Sequence, residues 1–397
     1  MSSAPIPRDT LDWFEFKAAD QDDYYGSLAA KRRDTPVEIT RPFRDDSLPV
    51  VTAYRYADVV KIIRDEADFT ANVVAVKYRP VLGQRTMTAL TNGEQRHLRS
   101  VVGAFLSSRR MQSLGEGIVR PVVTDAVRAL VRRGHGDLVH EVAAVVPPLV
   151  ITRLLGLPDE TAPPLLRHAL AVIGYMDDPK AGLRGSRALR KLFAEAIEER
   201  RLRPGDDLIS LLLATPAGDG PPADDDVVAM LLLLAIAGTE TTYPAIGSLC
   251  CALLRDHEQL AAVRTAPALT AQAVDEVLRW EAPVQLTCRS AARDVVIGDI
   301  TAPAGTLVLA HLGSANHDIP GIDEPARFDV RRPGPIPHVS FGLGTHRCLG
   351  THLARLEIAL TTAVILSQCP SLRLAPGCDA TISGQAVRGP VSLQVEV

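Results

Sequence analysis

The chain has 397 residues, 46% of them hydrophobic, and a formal net charge of −4, so it has material for a large core and no global basic field of the kind that draws nucleic acid. Its first stretch, MSSAPIPRDTLDWFEFKAADQDD, lacks the basic segment and apolar run of a secretory signal, and the longest apolar run, Val227 to Ala237, falls short of the roughly 20 residues that cross a bilayer. Six cysteines (Cys250, Cys251, Cys288, Cys348, Cys369, Cys378) without a disulfide-like framework fit a reducing compartment. The expectation is a cytoplasmic protein with no nucleic-acid or membrane partner and with thiols that are free or metal-bound.

In chain order, LPVVTAY reads as a strand. Tyr54 to Phe69 then sets Val59, Val60, Ile62 and Ile63 against Lys61, Arg64 and Asp65, the stripe of an amphipathic helix. Gly93 to Met111, Val123 to Arg133 and Ser186 to Arg201 repeat that period. Turn chemistry marks loops at Ala214 to Pro222 and at Arg332 to Pro337. Arg293 to Ala310 reads as a hairpin and VSLQVEV as a C-terminal strand. No fixed-period repeat occurs, and neither loop is long or polar enough to link domains. The pattern predicts one mainly α domain with small β-sheets (α+β) over residues 1–397.

Three segments carry chemistry. In AIAGTETTYPAIG, Gly238, Thr239, Glu240 and Thr241 end a very apolar run, and a buried carboxylate there is costly without a partner or a task. Pro244 has no N–H to give the carbonyl of Glu240, so the helix is expected to open at that point; an ordinary helix end capped by Thr and Glu is the plainer alternative. In AQAVDEVLRWEAPVQ, Glu276 and Arg279 stand at i and i+3 on one helix face, which by itself reads as a surface ion pair.

The third segment is FGLGTHRCLG, Phe341 to Gly350. Its glycines imply a sharp turn or a close approach of the backbone. Cys348 has three readings: an inert buried thiol, a zinc ligand with His346 and His352, and a thiolate ligand to haem iron. No partner motif supplies the four ligands a structural zinc wants. The apolar spacing of Leu353, Leu356, Leu360 and Val364 predicts a helix just beyond the thiol, whose N-terminal dipole, with Arg347, would favour the thiolate.

This segment resembles the cysteine loop of the cytochrome P450 superfamily, Phe-Gly-x-Gly-x-His-x-Cys-Leu-Gly in its common bacterial form, at every defined position. The resemblance extends from about Tyr54 to the C-terminus and implies the P450 fold as a single haem domain with no fused reductase or ferredoxin. It implies haem b, with Cys348 as iron ligand and Phe341, Gly342, Gly350 and Gly238 around the cofactor. Arg99, Arg289 and His346 would meet the propionates, although Gln95 stands where the family usually has histidine, with His97 on another face. It implies that Thr241 hydrogen-bonds the dioxygen-derived group, that Glu240 relays protons, and that Glu276, Arg279 and Arg327 form a buried structural network.

The implied activity is a monooxygenase that hydroxylates or epoxidises a mid-sized, largely apolar small molecule, with O2 as co-substrate and electrons from NAD(P)H through ferredoxin reductase and ferredoxin. Arg109, Arg110, Arg347 and Arg355 would make the cysteine face basic enough for an acidic ferredoxin. The Ala-, Arg- and Pro-rich composition is associated with high-GC bacteria and secondary metabolism. The alternatives are oxidative coupling, peroxide-driven oxidation, or a haem sensor without turnover. Pocket-lining segments are expected at residues 71–90, in PVQLT and in GQAVRGP.

Overall fold

The computed structural model describes residues 23–40, 50–71, 78–83, 92–216 and 222–397, with the side chains of residues 40 and 92–98 excepted. Helix α1, Tyr24–Asp34, starts where the Asp23 carboxylate accepts from the Gly26 N–H. Strands β1 (Val37–Thr40), β2 (Val50–Ala53) and β3 (Phe69–Thr70) frame α2, Tyr56–Arg64, which buries Val59, Ile62 and Ile63 as its stripe requires. The helical pattern from Gly93 to Met111 becomes two helices, α3 (Asn92–Phe105) and Ser108–Leu114, because Ser107 takes an extended conformation as the cap of the second.

Helix α4, Arg120–Arg133, leads through β4 (His135–Asp137) to α5 (Val146–Leu154), α6 (Ala162–Ile173) and the long α7, Pro179–Leu202. α7 begins earlier than its apolar period indicates: Asp178 caps the Ala181 N–H, and Pro179 fits the first helical position. Helix α8, Asp224–Glu240, stops at Thr241, and α9, Thr242–Arg255, resumes. The interruption lies where Pro244 leaves the Glu240 carbonyl without its donor. Together α8 and α9 are long and apolar enough to cross a bilayer, but 67% of the most apolar window is buried inside the protein, as in a core helix.

α10, Leu269–Trp280, precedes β5 (Leu286–Ala291), β6 (Val295–Ile297), β7 (Ile300–Ala302) and β8 (Leu307–His311). The hairpin expected across Arg293 to Ala310 is divided. β6 and β7 pair around Gly298 (φ 57°), while a turn at Gly305 (φ 84°) carries β8 into a five-stranded sheet of order β1-β2-β8-β5-β3. In that sheet β2 and β8 run parallel and the other pairs antiparallel. Helix α11 spans Thr351–Gln368, followed by β9 (Arg373–Leu374), β10 (Ile382–Ser383), β11 (Gly389–Pro390) and β12 (Gln394–Glu396). β12 pairs with both β4 and β9, so the C-terminal strand closes onto the centre of the chain.

The α10 motif is buried, and its third member differs from expectation. Arg279 and Glu276 are 0% exposed and form a bidentate pair at 2.8 and 2.9 Å. Arg327 does not join them. Its side chain is 56% exposed and lies 3.5 Å from Glu324, and only its backbone carbonyl accepts from Arg279 and Arg332. The third member is Arg332, whose Nε donates to Glu276 at 2.9 Å while its other nitrogens donate to the carbonyls of Asp323, Glu324 and Arg327. Buried ion pairs are costly to break because a desolvated charge loses its partner. Arg332→Ala is therefore expected to lower unfolding free energy by about 3 kcal/mol or more, and Arg327→Ala by less than about 0.5 kcal/mol, as read by urea denaturation. Equal losses for the two variants would restore Arg327 to the network.

Candidate functional site

Phe341 to Gly350 folds back on itself: Cys348 N–H donates to the Phe341 carbonyl at 2.8 Å, and Gly342 N–H to that of Val339 at 2.8 Å. Gly342 and Gly344 sit at φ 65° and 71°, where a side chain would be strained. Asn316, which no sequence signal marked, anchors the loop by accepting from Val339 N–H at 2.8 Å and donating to Ser340 Oγ at 2.7 Å. Phe341 lies 5.5 Å from the His338 ring and 5.6 Å from the Arg355 guanidinium, which is itself tied to Asp275 at 2.7 Å.

Gly350 caps α11, and the Thr351 hydroxyl donates to the Cys348 carbonyl at 2.8 Å. A side chain at Gly350 would meet Cys348 Sγ at 3.7 Å, an ordinary contact, so the protein alone does not demand glycine there. Cys348 is accessible to solvent. Its pKa is nevertheless raised, first by desolvation, against the opposing pull of the Gly350 N–H, Arg99, the Thr351 hydroxyl and Arg347. The expected lowering by helix dipole and Arg347 is thus outweighed in the protein alone. The thiol is thus accessible yet partly desolvated by the groups packed around it.

Two arginines and a histidine lie near that thiol. Arg99 donates to the Arg347 carbonyl and lies within electrostatic reach of Cys348. Arg289, on β5, is 7% exposed, donates to the Cys288 carbonyl at 2.9 Å and forms no ion pair with a described residue. Burial lowers its pKa first, with Cys288 and Glu66 opposing. His346 is half-buried, and desolvation, then Arg289 and Arg99, hold its pKa below the usual value while Glu66 acts the other way. Gln95 and His97 have side chains outside the described residues.

The helix break places Glu240 and Thr241 side by side at the junction of α8 and α9. In its C-terminal half α8 buries Leu231, Leu232, Ala235, Thr239 and Glu240, while Leu233, Leu234, Ile236, Ala237, Gly238 and, just beyond its end, Thr241 keep accessible surface. A Cβ at Gly238 would stand 2.3 Å from Ile151 Cδ1, so the missing side chain also permits the contact with α5. Thr241 Oγ donates to the Ala237 carbonyl at 3.2 Å. Burial pushes the Glu240 carboxyl up to about 8, so it is mostly protonated at neutral pH. Tyr78, with its pKa raised to about 12 chiefly by burial, lies within electrostatic reach of Glu240, Asp177 and Cys288, the last beside Arg289 on β5.

Of the expected pocket segments, residues 72–77 and 84–90 lie outside the described residues. PVQLT and GQAVRGP are sewn together by a Val284–Val387 bridge, with Gln285 N–H on the Ala386 carbonyl and Arg388 N–H on that of Pro283. Arg388 also pairs with buried Glu281 at 2.9 Å, Tyr25 donates to that carboxylate, and the guanidinium stacks 3.8 Å from the Tyr24 ring centre. Among the described residues no three His, Cys, Asp or Glu side chains cluster as a metal site, which leaves the zinc reading without ligands.

Residues 184–376 match the family model described as Cytochrome P450. The chain is 32% identical to Cytochrome P450 107B1 of Saccharopolyspora erythraea over 394 residues, covering 96% of this chain and 95% of the relative. The chain belongs to the cytochrome P450 family. It is 33% identical to the vitamin D(3) 25-hydroxylase of Pseudonocardia autotrophica, with 91% of each covered. Among solved structures it is similar to P450BioI in complex with an acyl carrier protein ligated to hexadec-9Z-enoic acid, at TM-score 0.84, 28% identity and 95% and 98% coverage.

This P450 is a monooxygenase that uses haem, O2 and reducing equivalents delivered by redox partners. Its residues fit an iron porphyrin: the accessible Cys348 thiol would serve as iron ligand, the accessible apolar residues of α8 would offer a wall, and Arg289 is a desolvated cation that a propionate would neutralise.

Proposed function

We propose that this P450 hydroxylates or epoxidises a mid-sized, largely apolar small molecule of bacterial secondary metabolism, in the cytoplasm, with electrons passing from NAD(P)H through ferredoxin reductase and ferredoxin. The observation that carries the reading is the accessible Cys348 thiol, set in a loop that matches the family's cysteine segment at every defined position; the buried Glu240 acid and the Thr241 alcohol at the helix break support it. Cys348 would hold haem b through its iron, and Arg99, Arg289 and His346 its propionates. Bound haem supplies O2 activation and insertion of one oxygen atom.

The chain's own residues supply the rest. Glu240 holds a proton at neutral pH, and Thr241 presents a hydroxyl one residue further on. The accessible apolar residues of α8 exclude water. The neighbour solved with a fatty acid on an acyl carrier protein supports an extended apolar substrate, including one attached to a carrier. On the cysteine face Arg109 and Arg347 are exposed, whereas Arg110 is tied to Asp206 and stacked on Phe105, and Arg355 is tied to Asp275. Arg109 and Arg347 are therefore the cations available to an acidic ferredoxin.

A panel of sterols and fatty acids, screened by the haem spin-state shift, followed by turnover under ¹⁸O2 with NADPH, ferredoxin and reductase, tests the reading. One ¹⁸O atom per product is expected. Oxidised product without ¹⁸O would assign the site to oxidative coupling instead.

A further inference from the structure

Helix α7 carries a charge pattern that the reaction above does not use. Lys180, Arg184, Arg187 and Lys191 fall at i, i+4, i+7 and i+11, all exposed, so they form one stripe about 16 Å long. No acid interrupts it: the first acidic residue of the helix is Glu195, which approaches only Lys191, at 3.9 Å. Lys180, Arg184 and Arg187 form no ion pair with a described residue. A cation in the first turn, here Lys180, opposes the helix dipole, and like charges four apart repel. The chain concentrates these cations although its net charge is −4.

The stripe's position is as informative as its charge. α6 and α7 are packed so closely that a side chain at Gly185 would stand 2.7 Å from the His168 carbonyl. The hairpin is fixed to the pocket wall by Ser186 Oγ donating to the Val81 carbonyl at 2.6 Å and by Tyr78 donating to that of Ile173 at 2.9 Å. Tyr78 also lies near Tyr175 of the α6–α7 connection, at 6.1 Å between ring centres, and within electrostatic reach of Glu240. The helix that bears the cations on its outer face is therefore packed, by its inner face, on the elements that approach the helix break, elements other than those that hold Cys348.

We propose that this stripe is the docking surface for an acidic carrier protein that presents the substrate on a flexible arm past Tyr78 and Tyr175. The proposal rests on the monooxygenase reading and names its partner. Charge complementarity selects the occupant: an acidic helical surface would neutralise Lys180, Arg184 and Arg187, which pair with no acid among the described residues. The neighbouring structure with a carrier-borne fatty acid gives the substrate class, an acyl chain attached through its carboxyl end. Exposed charges a few ångströms apart govern encounter and register more than final affinity, and salt weakens them.

The test uses the haem-loaded protein and an acyl carrier protein bearing a hexadecenoyl chain, with free hexadecenoic acid as control, followed by the Soret shift at low ionic strength. Wild type is expected to bind the carrier-borne chain more tightly than the free acid. Arg184→Glu with Arg187→Glu should weaken the former about tenfold or more while leaving the free acid and reduction by ferredoxin unchanged. Unchanged carrier affinity in the variant, or a wild type that prefers the free acid, overturns the proposal. Slower reduction by ferredoxin in the variant also overturns it, assigning the stripe to the electron donor. Failure of the monooxygenase reading would show separately, as absent ¹⁸O incorporation with any ligand.

Discussion

Cys348→Ser is expected to abolish the long-wavelength Soret band of the reduced carbonyl complex and to reduce O2-dependent turnover below detection. The side chain is accessible, the Gly350 N–H and the Thr351 hydroxyl that approach its sulfur would serve a serine oxygen as well, and the loop around it is closed by backbone bonds from Cys348 N–H and Gly342 N–H that serine would keep. Serine conserves size but replaces a soft, polarisable sulfur with a hard hydroxyl, a poor donor for the push of electron density that favours O–O cleavage. The variant should therefore fold and retain Arg99, Arg289 and His346 around the site. A wild-type protein that binds haem yet shows no long-wavelength band would remove Cys348 as ligand, and a serine variant that keeps the band would do the same.

The site was legible in the sequence where the chemistry is local. Gly342, Gly344 and Cys348 lie within seven residues, and their turn follows from backbone sterics that any reader of the chain can apply. The opening at Glu240 follows likewise from Pro244, four residues away. What the sequence does not reveal depends on tertiary approach. Arg327 and Arg332 are both arginines of one loop, and only the path of that loop turns Arg332 inward and leaves Arg327 beside Glu324. Glu281 and Arg388 are far apart in the chain, yet they bind PVQLT to GQAVRGP. The Cys348 shift combines both kinds: the pull of Arg347 is readable from order along the chain, whereas the larger desolvation depends on what packs around the sulfur. Gly238 carries a tertiary constraint of the same kind, since a Cβ there would meet Ile151 of α5.

Thr241→Ala is expected to leave substrate binding unchanged while productive use of reductant falls about 10²-fold, the scale for losing one positioned donor, with the lost electrons appearing as hydrogen peroxide. In the structure the Thr241 hydroxyl donates to Ala237, so its oxygen lone pairs remain free and a small rotation frees its proton. Thr241→Ser keeps that hydroxyl and should restore most of the coupling, which a merely structural threonine would not require. Undiminished coupling in the alanine variant would exclude the hydroxyl from proton delivery.

Glu240 adds a pH signature independent of turnover. Its pKa rises from 4.5 to about 8 by burial, so between those values the folded protein holds a proton that the unfolded chain has released. Stability linked to this group is full below about pH 4.5 and is lost as pH rises through about 8. Glu240→Gln, which cannot ionise, should flatten that decline and also lower proton-dependent turnover. The same slope in wild type and variant would mean that Glu240 is ionised in the folded protein, and it could not then serve as the proton reserve beside Thr241.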